Sequence, residues 1–400
     1  MRRSPALVLT VVLLVAACNR EDFDSAAVPE NPLIVDPPSQ DFAENPALLE
    51  RILATPHGYL RFINIRFSSE VCRRAGHLLD GVPLFNLHGD AHIEQYAVTD
   101  LGRGLTDFDD SSKGPAVIDL MRMGTSLRVA SGMRGWEAEA DGIFDQFVAG
   151  YRSALSEPEI DAPLPAVAER LSADFKYDRE EYFDWVESIV EPVPPAEAQR
   201  LKEALSTYVE MMLEQNSDVE ASYFDISEVG YLRLGIGSAL DRKYLVRIQG
   251  ATADPADDIV LELKQVRDLQ AIDCLSVGRG TEPLRILIGQ SRIAYQPYGL
   301  LGYVRFDGFT FWVHAWVDNY AEASITETFR SPAEMAEAAF DIGVQLGRGH
   351  PNQVGASLDL QVRRELLRLL DRDEQQIKEI SQDLAVQVVE AWELFRTSQG

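Results

Sequence analysis

Apolar positions along the chain change their period twice. From about Pro46 to Leu79 they recur every three to four residues, the period of an amphipathic helix, with a break at Thr55-Pro56-His57-Gly58. Val82-Pro83-Leu84-Phe85-Asn86-Leu87 is predicted as a short buried strand that empties into His88-Gly89-Asp90. A second short strand is predicted to enter Thr106-Asp107-Phe108-Asp109-Asp110, and Gly114-Pro115 opens a helix through about Val129. Residues 136–216 read as several helices punctuated by prolines. Near Tyr223 the pattern turns to strands: Tyr231–Ser238 and Lys243–Gln249 as a hairpin, then Asp258–Gln265, then two more over roughly 299–306 and 309–317, with a helix around Leu284. Helical periodicity returns over Ala333–His350 and Leu360–Phe395. The outline is an α+β chain of two lobes: a helix-rich stretch over 46–222, a smaller antiparallel sheet lobe over 223–325, and helices over 326–400 that complete the helical lobe.

The first residues follow a different logic. Arg2 and Arg3 precede an apolar run, Ala6 to Ala17, that is too short to span a bilayer. The run ends in Val15-Ala16-Ala17-Cys18, which resembles the site cut by lipoprotein signal peptidase. Residues 1–17 are therefore expected to be a signal peptide, with lipid on Cys18 anchoring the chain to a membrane of the cell envelope. The alternative is an ordinary secretory signal that contains a cysteine. Asn19 favours the periplasmic face of the outer membrane over the inner membrane. Residues 18–45, rich in acids and carrying Pro29, Pro32, Pro37 and Pro38, are expected to form an extended, mobile tether.

Charge narrows the partners. The net charge of −27 becomes two units more negative once Arg2 and Arg3 are removed, a surface that repels nucleic-acid backbones. Besides Cys18 there are Cys72 and Cys274. An exported chain permits a disulfide between them, but each sits in an apolar stretch, and buried free thiols are the favoured reading.

Two acidic clusters carry the candidate chemistry. His88-Gly89-Asp90-Ala91-His92-Ile93-Glu94-Gln95 holds two of the six histidines around an Asp, at the end of an apolar strand. Asp107, Asp109 and Asp110 crowd one turn, and three carboxylates so close repel unless a cation neutralises them. Oxygen donors favour Mg2+ or Mn2+ over zinc. Asp119, buried in the following helix, is expected to clamp the loop bearing Asp90. Lys264 lies in the middle of an apolar strand, where a buried ammonium needs an acid or phosphate partner. Gly235-Ile236-Gly237-Ser238 supplies a glycine turn.

These motifs, in this order, resemble a bacterial family called domain of unknown function 2252. The residues that carry the likeness are His88-Gly89-Asp90-Ala91-His92, Asp107-Phe108-Asp109-Asp110, Gly114-Pro115 and Asp119-Leu120-Met121-Arg122. Thr55–Arg61 upstream and Leu234–Ser238 and Leu261–Lys264 downstream extend it over roughly residues 50 to 350. The family is similar to protein-kinase-like and aminoglycoside-phosphotransferase-like folds with the motif order permuted. The resemblance implies Asp90 as catalytic base and Asp107, Asp109 and Gln95 as ligands of Mg2+. It further implies Gly235, Gly237, Ser238 and Lys264 as the site for the phosphates of ATP. His88, His92, Asp119 and Arg122 would support the loop.

Four positions depart from the family pattern: Gln95 for Asn, Thr106 for Asn, Ile118 for Trp, and Gln265 where an acid often follows the lysine. Glu282 is the nominal partner for Lys264. The expected function is a Mg-nucleotide-dependent phosphotransferase acting on a small molecule or protein. The alternatives are a non-catalytic nucleotide- or ligand-binding envelope protein of the same fold, and a metal-dependent hydrolase built on His88, Asp90, His92 and the Asp107 cluster.

Overall fold

The computed structural model describes residues 31–35, 42, 46–78, 83–173, 175, 179–232, 241–277, 282–352 and 356–398. Cys18, the signal segment and the glycine turn at Gly235, Gly237 and Ser238 lie outside the described residues.

The first helical stretch breaks where Thr55-Pro56 requires it. α1 (Pro46–Ala54) stops, the Thr55 hydroxyl caps α2 (Pro56–Phe62) by accepting from the Gly58 amide, and α3 (Asn64–Ala75) follows. β1 (Phe85–Leu87), β2 (Tyr96–Thr99), β3 (Gly102–Leu105) and β4 (Ser112–Gly114) are short. Then come α4 (Val117–Arg134), α5 (Ala140–Ser156), α6 (Ala166–Ala173), α7 (Arg179–Ile189), β5 (Val190–Pro192), α8 (Pro195–Ala204) and α9 (Ser206–Gln215). The sheet region comprises β6 (Ile226–Leu232), β7 (Lys243–Ile248), β8 (Ile259–Gln265), α10 (Leu284–Ile293), β9 (Gly302–Phe306), β10 (Phe309–Ala315) and β11 (Tyr320–Glu322). α11 (Pro332–Gly349) and the long α12 (Ala356–Ser398) end the chain.

Six strands make one antiparallel sheet in the order β5-β6-β7-β8-β10-β9. Its apolar face packs Tyr244, Val246, Leu263 and Phe311 against Leu201 of α8, Tyr208 of α9 and Leu205 between the two helices. Those two helices come from the 46–222 stretch, so this cluster does not follow the change of pattern near Tyr223. Two smaller sheets, β1-β4 and β11-β2-β3, lie with the helices. The larger core joins α4, α5, α11 and α12 through Met121, Leu127, Phe147, Leu346 and Leu366. α5 and α11 meet backbone to backbone: a Cβ on Gly150 would lie 2.1 Å from the Phe340 carbonyl oxygen, and one on Gly343 2.1 Å from that of Phe147.

Two expectations change. Residues 31–35 and Phe42 are not free tether: Leu33 is fully buried, and the Tyr59 hydroxyl donates to its carbonyl while accepting from the Val35 amide. Three isolated apolar residues suffice for docking without any periodic signal. Cys72 and Cys274 are joined as a disulfide between α3 and the segment after β8, so the free-thiol reading is replaced. Among the described residues no helix is long and apolar enough to cross a membrane.

Candidate functional site

The loop after β1 is held by its own backbone. Gly89 has φ +84°, and a Cβ there would lie 2.0 Å from the Asp110 carbonyl oxygen, so only glycine lets the two acidic loops touch. Asp119, fully buried in the first turn of α4, accepts from the His88 amide (2.7 Å) and the Gly89 amide (2.9 Å). The His350 ring, from the end of α11, bonds the same carboxylate at 3.0 Å. Burial would raise the Asp119 carboxyl, but these donors outweigh it and hold it below its ordinary value. Asp119 is the residue expected from the sequence to clamp this loop, and these are the contacts its carboxylate makes.

Asp90 emerges from that loop, 6% exposed. Arg122, fully buried on α4, donates to its Oδ1 from Nε (3.0 Å) and Nη2 (2.5 Å), and also to the Leu60 carbonyl. Burial dominates over the guanidinium and pushes the Asp90 carboxyl up to about 7. His88 is engaged on both ring nitrogens: Nε2 lies 2.8 Å from the Thr106 carbonyl and Nδ1 accepts from the Asp90 amide. It therefore does not join Asp90 and His92 as a third ligand. His92 is buried, 3.8 Å from Asp90, with no hydrogen-bond partner on either ring nitrogen among the described residues. Beside it His57 accepts from Ser126 and donates to Glu94, at 2.8 and 3.0 Å.

The second loop turns at Asp107, whose φ of +57° is left-handed. Lys264, on β8, reaches Asp107 Oδ1 at 2.6 Å and Asp109 Oδ2 at 2.7 Å, while the Trp312 indole donates to Asp109 Oδ1 at 2.8 Å. Asp107 is held well below the carboxylate range, Lys264 outweighing its burial. Asp109 is pushed up to about 8, first by burial and then by the neighbouring Asp107 charge. The Gln95 amide nitrogen lies 3.4 Å from Asp107. Asp110 takes Asn64 and Arg267 instead, and Arg285 of α10 grips the loop through the Asp109 and Ser111 carbonyls. Glu282 does not meet Lys264; it accepts from the Leu284 amide at the start of α10.

A cavity of about 590 Å³ opens from Lys264 and Asp107 outward. Its walls include Trp312, Trp316, Trp185 and Tyr298, and its floor Glu262, which accepts from Trp316 (2.7 Å) and bonds His314 (3.0 Å). Lys243 and Arg61 also line it, and Arg61 borders the small space between Asp90 and Asp107 as well. Sequence reading assigned no role to Lys243, Glu262, His314 or Arg61. A signal existed for one of them: Glu262 stands two positions before Lys264 in an apolar strand and so shares its face.

Among the described residues no three histidine, cysteine or carboxylate side chains group as a metal site. The family model described as "Uncharacterized protein conserved in bacteria (DUF2252)" matches residues 43–183 and 170–398. No curated protein and no solved structure matches the chain.

Proposed function

The chain belongs to the bacterial DUF2252 family, and from that premise we propose that its cleft is the site of a Mg-nucleotide-dependent phosphotransferase on a two-lobed, protein-kinase-like fold with permuted motif order. One observation carries the reading: Lys264 meets Asp107 and Asp109 at the inner end of the cavity, beside the loop that presents Asp90. A lysine for phosphates, carboxylates for a cation and a base are the parts phosphoryl transfer uses. The succession β6, Gly235–Ser238, β7, then the lysine on β8 supports the kinase-like reading, since a glycine loop followed by a third-strand lysine is the kinase arrangement.

The donor set suits a hard cation. Asp107 and Asp109 offer oxygens, Gln95 would add one with its amide turned over from the orientation that puts its nitrogen toward Asp107, and Asp110 Oδ1 is buried with no hydrogen-bond partner among the described residues. Mg2+ is commonly held by one or two carboxylates plus the phosphates of its substrate. When bound, it would neutralise charge on the transferred group. Asp90, oriented by Arg122, would take the acceptor's proton, and a carboxyl near 7 exchanges protons readily at neutral pH. Lys264 would exchange part of its contact with Asp107 for phosphate oxygens.

Thermal denaturation with millimolar Mg-ATP, on the protein and on Asp107→Ala, tests this. A ligand-induced rise that the variant lacks is expected; no rise in the unaltered protein sinks the nucleotide site. A rise without turnover favours the second reading, a non-catalytic ligand-binding protein. The observation behind that reading is Lys264 clasped by both carboxylates, with the Gln95 amide nitrogen toward Asp107. We further propose that lipid on Cys18 holds the site at the cell envelope. Metabolic labelling with a fatty acid should mark the chain and fail on Cys18→Ser; equal labelling of the two would reject the anchor.

A further inference from the structure

Three of the chain's five tryptophans border the cavity, and one of them, Trp185, is 48% exposed. An indole left open to solvent forgoes the burial that most tryptophans gain, so its place on a cavity wall suits a ligand better than a core. Trp185 stacks on Trp316 at 5.7 Å, and the Trp316 indole donates to Glu262 at 2.7 Å. Tyr298, His314 and Trp312, on the same cavity, lie in a row with ring centroids 4.5 and 4.4 Å apart.

The charge around these rings is negative. Five carboxylates line the cavity, among them Glu181, Glu262 and Glu322, against three cations. Those cations are engaged: Lys264 by Asp107 and Asp109, Arg61 by Glu94, and Lys243 has a partner as well. Arg179 offsets Asp318, but Asp109 and Glu94, outside the lining, add to the negative side. Burial alone would raise the Glu262 carboxyl, yet Lys264 and the bond to His314 hold it at about 2, so it is ionised near neutrality. Such walls repel an anion, and a neutral ring or sugar leaves the surplus charge uncompensated. A cation gains from the carboxylates and from the negative ring faces together. Lys264 already shows the arrangement, its ammonium 5.7 Å from the Trp312 ring centroid.

We infer that the aromatic part of the cavity binds an organic ammonium ion, with Trp185 and Trp316 supplying ring faces and Glu262 the countercharge. The inference goes beyond the nucleotide reading and does not depend on it.

Tryptophan fluorescence, followed at constant ionic strength during titration with tetramethylammonium, tert-butanol and methyl glucoside, tests it. Tetramethylammonium should bind at least tenfold more tightly than tert-butanol, a neutral molecule of similar size. Trp185→Leu should weaken it at least fivefold, Trp185→Phe should keep most of the affinity, and Glu262→Gln should remove most of the preference for the cation. Equal affinity for tetramethylammonium and tert-butanol, no binding of the cation, or tighter binding of methyl glucoside overturns the inference. So does an affinity unchanged in Trp185→Leu, a half-exposed position whose replacement leaves the core intact. That variant decides alone if circular dichroism shows Glu262→Gln to be unfolded. Stabilisation by Mg-ATP without ammonium binding removes this inference and keeps the nucleotide site; ammonium binding without stabilisation by Mg-ATP does the reverse.

Discussion

Arg122 directs two guanidinium nitrogens onto a single oxygen of Asp90, at 2.5 and 3.0 Å, and leaves the other oxygen facing His92 at 3.8 Å. One oxygen is thus fixed and the other is available for chemistry. The pair is buried on both sides, so the geometry is rigid and any loss of one partner strands the other.

Asp90→Asn is therefore the informative variant. It keeps the volume and one oxygen for Arg122 while removing the basic carboxylate. Turnover should fall by about 10²–10⁴-fold, the usual contribution of a general base, with nucleotide affinity within a few fold of the starting value. Asp90→Ala is a poorer probe, because an uncompensated Arg122 would cost about 3–5 kcal/mol of stability. Undiminished turnover in Asp90→Asn would remove Asp90 from the base role.

Asp119 is expected to serve stability rather than chemistry. Its carboxylate is the acceptor for two amides of the loop and for His350. Asp119→Ala leaves these buried donors without an acceptor, and each unsatisfied group costs about 1–3 kcal/mol. Urea denaturation should show a loss of at least about 3 kcal/mol. A loss below about 1 kcal/mol would mean that the loop keeps its shape without the clamp.

The parts of the site that local sequence reveals are those whose chemistry is concentrated in a few consecutive residues. His88-Gly89-Asp90, the Asp107–Asp110 turn and Lys264 stand out against apolar surroundings; Asp107 borders a small space with Asp90 and is ion-paired to Lys264. Lys243 was invisible for a physical reason. It stands at the start of its strand, where a lysine is ordinary, and only the register with β8 sets it beside Lys264. Arg61 is similarly unremarkable until α2 is folded against the loop. The docking of Leu33, Val35 and Phe42 carries no periodicity to read, and the Cys72–Cys274 bond spans 202 positions, a proximity that spacing alone cannot reveal.

That bond ties α3 to the segment leading into α10, whose Arg285 grips the Asp109 loop. Closing a loop this long restricts the unfolded chain by as much as about 5 kcal/mol in the chain-entropy view. Reduction, or Cys72→Ser with Cys274→Ser, should lower the urea midpoint clearly without changing nucleotide affinity more than a few fold. An unchanged midpoint would mean the sulfurs are not bonded in the folded protein.

Acid should withdraw the stability that Glu94 contributes over the range in which surface carboxylates titrate and below it. Burial alone would raise this carboxyl, but His57 and Arg61 outweigh it and hold it at about 2, against an ordinary value of 4.5. His57 is itself lowered, chiefly by burial, so near neutrality it gives Glu94 a hydrogen bond while Arg61 supplies the charge. A depressed carboxylate contributes stability that is fully present above 4.5 and is lost as the pH falls from there toward 2. A depressed histidine adds to the same trend, because below about 6.5 the unfolded chain takes up a proton that the folded one refuses. Glu94→Gln should therefore lose on the order of 2 kcal/mol at pH 7 and much less at pH 3. Equal differences between the two proteins at both pH values, measured by urea denaturation, would show that Glu94 holds the His57–Ser126 side of the loop by shape and not by charge.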